Sequence, residues 1–284
     1  MDPKVAVITG CSSGIGLATA SILAKDGEKR FRVYATMRNL DKKGSLESAC
    51  QNALGDTLFI RELDVSSDDS VEEALNAIYE EEGRIDILVN NAGISHIGML
   101  ETQTQSLVKE TFNTNFFGVL RMSKAVIPRM KSDHSGHIIN ISSTAGHTGM
   151  PFTGLYCASK FAVEGLSESL APLLRKFGVK ISIIEPGPVN SPSASFNQIA
   201  VPEEEDADEE TKELLENFRC KIKGASNIAQ SADEIADVIL DVILAEKPHL
   251  RYQTNKNYAN TLSRKLVDPS GDKAVDVMFT RFFV

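Results

Sequence analysis

Short apolar, β-branched runs alternate along the chain with longer stretches of helical period. The runs are Val5 to Thr9, Arg32 to Thr36, Leu58 to Glu62, Ile85 to Asn90, His137 to Ser142 and Lys180 to Glu185. That rhythm predicts βαβ units, and so an α/β fold with a parallel sheet covered by helices on both faces. In such sheets ligands bind at the carboxyl ends of the strands, so the residues just after each run are where chemistry is expected. Two of the helical stretches, Leu107 to Met130 and Cys157 to Leu174, are apolar enough to bury one face in the core and another against a second subunit. A homodimer is expected, although a helix wholly buried in a monomer has the same composition. The rhythm breaks from Asn190 to about Ser231, where Pro192, Pro202 and the acidic run Glu203 to Asp206 precede a helical pattern through Thr211 to Ile222. We read 190–231 as an insertion that covers a substrate site, with a plain surface loop as the alternative.

The chain has 284 residues, 42% of them hydrophobic, which suits one large domain, 1–284, with a substantial core. Its formal net charge of -9 disfavours a surface built to neutralise phosphate backbones, and nucleic acid is not expected as a partner. Cys11, Cys50, Cys157 and Cys220 have neither metal-ligand spacing nor the density of a disulfide scaffold, so a reducing, cytoplasmic setting fits. The opening MDPKVAVITG has too short an apolar run for a signal peptide and reads as a strand. No apolar stretch approaches the roughly 18 residues of a membrane span. The five histidines form no ligand-like cluster, and no metal is expected.

After the first run come Thr9, Gly10, Cys11, Ser12, Ser13, Gly14, Ile15 and Gly16, then an alanine-rich helical pattern. Glycines there allow a tight turn and let backbone N–H groups approach a pyrophosphate at the positive end of a helix. A glycine-rich turn is weak evidence alone; its position between first strand and first helix is what gives it meaning. The end of the second strand ordinarily discriminates between NAD and NADP, because a carboxylate there accepts from the ribose 2′-OH and repels a 2′-phosphate. Here Met37 and Arg38 follow the strand, with no carboxylate at its tip, and Arg38 is placed to pair with a phosphate. NADP(H) is the expected cofactor. Asp64 and Val65, after the third run, bracket an adenine or, for the Asp64 side chain, cap a helix. Asn90, Asn91, Ala92 and Gly93 close the fourth run; the small residues let a cofactor pass close to the backbone while the asparagines tie loops together, a mainly structural role.

A Tyr-x-x-x-Lys pair sets a phenol and an ammonium one helical turn apart. It occurs twice, as Tyr156/Lys160 and as Tyr252/Lys256. Only the first opens a long helical pattern that follows a strand, and it is the expected catalytic pair. A phenol with its usual pKa of about 10 needs nearby positive charge to act as a base, and Lys160 with an oxidised nicotinamide supplies it. Ser143 offers a hydroxyl to hold the substrate oxygen while Tyr156 exchanges a proton. Its neighbour Ser142 points to the other face if strand alternation persists. Asn115 sits mid-helix in an apolar stretch, either holding a water that links Lys160 to solvent or acting as a satisfied structural amide.

These residues, in this order, resemble the short-chain dehydrogenase/reductase family from Lys4 to about Val189, through TGCSSGIG at 9–16, NNAG at 90–93, Ser143 with Tyr156 and Lys160, and PGPV at 186–189. The resemblance implies a Rossmann-like, doubly wound fold and a catalytic tetrad of Asn115, Ser143, Tyr156 and Lys160. It also implies cofactor contacts from Val189 and, in the place of the family's usual threonine, Ser191. VYATMR at 33–38, TNFFG at 114–118, YCASKFAVEGLSESLA at 156–171 and RYQTN at 251–255 are similar to the branch holding 17β-hydroxysteroid dehydrogenase type 1 and retinol dehydrogenase 8. That branch implies hydride transfer between NADP(H) and a lipophilic hydroxyl or carbonyl compound, a steroid or a retinoid. The apolar Phe196, Ile199, Leu214, Leu215 and Phe218 of the insertion agree with a lipophilic ligand. The alternatives are a reductase of another carbonyl substrate and a cofactor-binding sensor without turnover.

Overall fold

The structure is a computed structural model that describes residues 2–190, 207–224 and 228–258. Strands β1 (Lys4–Ile8), β2 (Phe31–Met37), β3 (Leu58–Glu62), β4 (Ile87–Asn90), β5 (Gly136–Ile141), β6 (Val179–Glu185) and β9 (Arg251–Gln253) form one sheet in the order β3-β2-β1-β4-β5-β6-β9. Every pairing in it is parallel, from Lys4 beside Phe31 to Glu185 beside Gln253. All six expected runs are strands. The seventh, β9, was not expected, because its three residues RYQ are polar and half-buried at the sheet edge.

Alternation along the strands sorts their side chains between two cores. Ala6 and Ile8 face a cluster with Leu23 of α1 (Gly14–Ala24), Leu46 of α2 (Gly44–Ala49) and Ile239 of α8 (Ala232–Leu244). Val5 and Val7 face another, with Leu75 of α3 (Asp68–Glu82), Val126 of α5 (Gly118–Ser132) and Leu174 of α6 (Gly154–Arg175). Because both faces are covered, the strands are almost continuously apolar, as a doubly wound sheet requires. The chain winds outward from β1 to β3, then returns to place β4 beside β1. The crevice outside the carboxyl ends of β1 and β4 is therefore the topological switch point.

The predicted helix over 107–130 is interrupted. Helix α4 (Gln105–Phe112) passes through a π-helical turn, Asn113–Phe117, before α5 resumes. Apolar periodicity is blind to one inserted residue in a turn of helix, and such turns recur at functional sites. Beyond β6, β7 (Val189–Asn190) pairs in parallel with β8 (Gln230–Ser231), setting Asn190 beside Ser231. The 190–231 excursion thus leaves and rejoins the domain at one short ladder. Its described part holds α7 (Glu209–Gly224), while 191–206 and 225–227, with Phe196 and Ile199, lie outside the described residues. No helix among the described residues is long and apolar enough to cross a membrane.

Candidate active site

The strand ends converge on a cavity of about 340 Å³. At its floor, the turn after β1 is tied to the end of β4. Thr9 Oγ1 accepts from the Asn91 and Ala92 N–H groups at 3.0 Å each, and Asn91 Nδ2 donates to the carbonyl oxygens of Thr9 and Gly10 at 2.8 and 3.2 Å. Gly10 has φ +74°, and a Cβ on it would lie 2.9 Å from the Ala92 Cα. One on Gly16 would come within 2.4 Å of both Gly10 O and Asn91 Nδ2, so both positions require glycine. Helix α1 opens on this turn, and its N-cap residue Ser13 makes no side-chain capping bond. The first N–H groups of the helix are thus left for an anion in the cavity.

Gly10, Ser12, Ser13, Ile15, Arg38, Asp64, Val65, Asn91, Ala92, Gly93 and Val189 line the cavity, together with Ser143, Tyr156 and Lys160. Gly14, with φ +60°, and Gly16 belong to the same turn but are not among the lining residues. Ser191 lies outside the described residues. Arg38 is exposed at the end of β2, and no ion pair engages it among the described residues. Asp64 does not cap α3: Ser67 holds that place, accepting from Ser70 N, and Asp64 Oδ1 accepts instead from the backbone and hydroxyl of Ser66 at 2.9 and 2.7 Å. Ile94 and Ser95 also line the cavity, and their place just beyond β4 could have revealed them. Met150 and Tyr258 do so too, but no pattern in the sequence marks either.

The chemistry-bearing side chains come from β5 and α6. Ser143, just past β5, accepts from Ala145 N at 3.1 Å and hydrogen-bonds the Tyr156 phenol. Lys160, 5% exposed, donates from Nζ to the Ile141 carbonyl at 2.8 Å, with Nζ 5.8 Å from the centre of the Tyr156 ring. Burial raises the Tyr156 pKa while the Ser143 bond opposes the rise. Burial lowers Lys160 to about 8, against the charge of Glu164. The protein alone therefore holds Tyr156 as a neutral phenol, ready to donate a proton. The rival Tyr252 is engaged elsewhere, its hydroxyl accepting from His249 N at 2.7 Å.

Asn115 is fully buried within the π-helical turn. Its Oδ1 accepts from Ile94 N, and its Nδ2 donates to Ile94 O and to Ser159 Oγ, all within 2.9 Å. Both amide protons are engaged, as burial of the side chain requires. It pins Ile94 beside Gly93, where a Cβ would lie 3.3 Å from Asn115 Oδ1 and 3.6 Å from Lys160 Nζ.

The family model for short chain dehydrogenases matches residues 4–200. The chain belongs to that family. This short-chain dehydrogenase is 45% identical to retinol dehydrogenase 8 of Bos taurus over 276 residues, 95% of this chain and 87% of the relative. It is 40% identical to human 17-beta-hydroxysteroid dehydrogenase type 1 over 292 residues, 100% of this chain and 87% of the relative. Among solved structures it resembles an alcohol dehydrogenase from the archaeon Thermococcus sibiricus complexed with 5-hydroxy-NADP, with a TM-score of 0.71 and 25% identity over 89% of this chain and 96% of the other. Family and fold thus agree with the sequence reading, and the chain is an oxidoreductase related to retinol and 17β-hydroxysteroid dehydrogenases.

Proposed function

We propose that this short-chain dehydrogenase uses NADP(H) to interconvert a hydroxyl and a carbonyl on a lipophilic substrate, a steroid or a retinoid. The observation that carries the reading is that Ser143, Tyr156 and Lys160 line one cavity with Arg38 and the turn at Gly10. The nicotinamide, when bound, supplies or accepts the hydride. The tight contacts at Gly10 and Gly16 and the uncapped start of α1 suit a pyrophosphate, and Arg38 suits a 2′-phosphate. The Thermococcus sibiricus relative, complexed with an NADP derivative, supports a nicotinamide cofactor.

On reduction, Ser143 holds the carbonyl oxygen and Tyr156 gives it a proton, while the Lys160 ammonium offsets the phenolate that forms. On oxidation the proton returns to Tyr156. Asn115 acts by fixing Ile94 and Ser159 around Lys160. Asp64, Val65, Asn91, Ala92, Gly93, Val189 and Ser191 are assigned to the cofactor with Ser12, Ser13 and Ile15.

The lipophilic substrate rests on the names of the two relatives and on the insertion. Leu215 of α7 is 1% exposed and packs with Ile97 and Met99 beyond β4, and Phe218 lies 5.4 Å, ring to ring, from Phe152 before α6. This apolar cluster joins the insertion to the segments flanking the cavity, as expected of a cover over an apolar ligand. A homodimer through α5 and α6 is part of the proposal. Phe117, just before α5, and Phe161 of α6 are 45% and 40% exposed, and a native mass of one chain removes it. We place the enzyme in the cytoplasm.

The test is a panel of carbonyls, with all-trans-retinal, estrone and water-soluble ketones, incubated with NADPH or NADH. The reading expects an alcohol product from a lipophilic member and faster turnover with NADPH. Product only from water-soluble ketones would remove the substrate class. Arg38→Ala is expected to raise the Kd of NADPH about 10- to 100-fold, the range for losing hydrogen bonds to a charged group, and to leave the Kd of NADH little changed. Equal losses for both cofactors would show that Arg38 does not read the 2′-phosphate.

A further inference from the structure

Behind the catalytic turn lies a buried group of charges that the hydroxyl–carbonyl chemistry does not use. Arg251 of β9 donates to Glu164 of α6 at 2.5 Å and to Glu168, one turn on, at 2.6 Å. It also donates to Glu185 at the end of β6, which Gln253 bonds as well. The side chains of Glu164 and Glu185 are 6% and 0% exposed. Two buried carboxylates share this one guanidinium, with the half-exposed Glu168 at its rim, an arrangement costly enough to need a reason.

Chain geometry joins this group to the catalytic pair. The consecutive residues Ile141, Ser142 and Ser143 each meet a different residue of α6. The Ile141 carbonyl holds Lys160, Ser143 meets Tyr156, and Ser142 turns the other way towards Glu164. A Cβ on Gly146 would lie 2.4 Å from Ser142 Oγ and 2.8 Å from Glu164 Oε1, so both oxygens pack against that glycine. Tyr156, Lys160 and Glu164 follow one another at single-turn spacing, so they share one face of α6.

We propose that Glu164 is a positioning residue for the reaction, its carboxylate anchored by Arg251 so that a negative charge stays one turn from Lys160 and keeps the Lys160 ammonium charged inside the pocket. This rests on the reading of Tyr156 and Lys160 as the proton-carrying pair. Lys160 is a cation in a pocket that disfavours charge, and Glu164 is the charge that opposes the loss of its proton. The groups facing Glu164 are Arg251 from β9, Glu185 from β6, Ser142 after β5, and Lys160 and Glu168 on its own helix, with His147 Nε2 3.9 Å from Glu185. Burial and the Glu185 charge raise Glu164 to about 7, against Arg251 and Ser142, which lower it. The Arg251 guanidinium, bonded directly to Glu164, is what favours its ionised form against burial and the Glu185 charge.

Glu164→Gln keeps the side-chain shape and removes the charge. The test compares it with the wild type, Glu164→Asp and Glu168→Gln by the pH dependence of kcat/KM for NADPH-driven reduction, and of NADPH binding followed by NADPH fluorescence. The alkaline limb of both profiles is expected to move to lower pH by about one unit in Glu164→Gln, the usual size for losing one nearby opposite charge. It should stay near the wild-type position in Glu164→Asp, which retains a carboxylate, and in Glu168→Gln, whose carboxylate lies a turn farther from Lys160. A limb unmoved in Glu164→Gln, or moved equally in Glu168→Gln, overturns the proposal, even where thermal unfolding shows lost stability. Tyr156→Phe is run beside them: if it turns over at the wild-type rate, the catalytic reading itself has failed, whereas its loss with an unmoved limb condemns Glu164 alone.

Discussion

Tyr156→Phe is expected to lower kcat for carbonyl reduction by about 10²- to 10⁴-fold, the range that a positioned proton donor contributes. The substitution removes one oxygen and keeps the ring, so NADPH binding measured by fluorescence should change little. Ser143 remains to hold the substrate oxygen, but a serine hydroxyl gives up its proton far less readily than a phenol beside an ammonium. The direction of the reaction sets the pH response. Burial keeps the Tyr156 phenol protonated, and reduction needs that form, so reduction should weaken at alkaline pH as Lys160, titrating near 8, loses its charge. Oxidation needs Tyr156 to accept a proton, and its optimum should lie at higher pH than that of reduction. Coincident optima in the two directions would count against Tyr156 as the exchanging group.

Arg251→Ala is expected to destabilise the fold by about 3–5 kcal/mol, because it strands Glu164 and Glu185 in the interior without their cation. For a chain of this size that corresponds to a fall in Tm on the order of 10 °C. The loss has a definite pH dependence. Both carboxyls are raised in the folded state, Glu164 to about 7, above the ordinary range for a carboxylate. A group raised on folding contributes stability that is present at low pH and is lost as pH rises through its folded pKa. Arg251 is among the charges that lower both, so removing it raises them further. The gap between wild type and variant should therefore be wider at pH 8 than at pH 5.5 in thermal unfolding. An equal gap at the two pH values would mean that the arginine acts through packing alone.

The sheet was legible because burial on both faces leaves β-branched runs such as Val5–Ile8 and Ile181–Ile184 almost free of polar residues. Arg251–Gln253 escaped notice for the converse reason: an edge strand of three half-buried polar residues carries no period-two signal. The glycine turn, Arg38 and the Tyr156/Lys160 pair could be located because they sit at strand ends and helix starts, which sequence marks locally. Alternation separated Ser142 from Ser143, as one hydroxyl turns to Glu164 and the other to Tyr156. The role of Asn115 needed coordinates, since Ile94 and Ser159 are 21 and 44 residues away. The charge cluster needed them more, with Arg251 87 residues from Glu164 and 66 from Glu185. Asp64 read equally well as a helix cap, and only the Ser67 and Ser66 contacts decide against that.

The central claim is that a hydride passes directly between the cofactor and a lipophilic carbonyl carbon in the cavity at Tyr156. It is tested most directly with NADPH deuterated at the nicotinamide C4, in each stereoisomer, and the carbonyl that the panel identifies. The account predicts that one isomer alone yields an alcohol with deuterium on the former carbonyl carbon, and that Tyr156→Phe suppresses its formation. Unlabelled alcohol from both isomers, or labelled alcohol formed as fast by Tyr156→Phe, would contradict it.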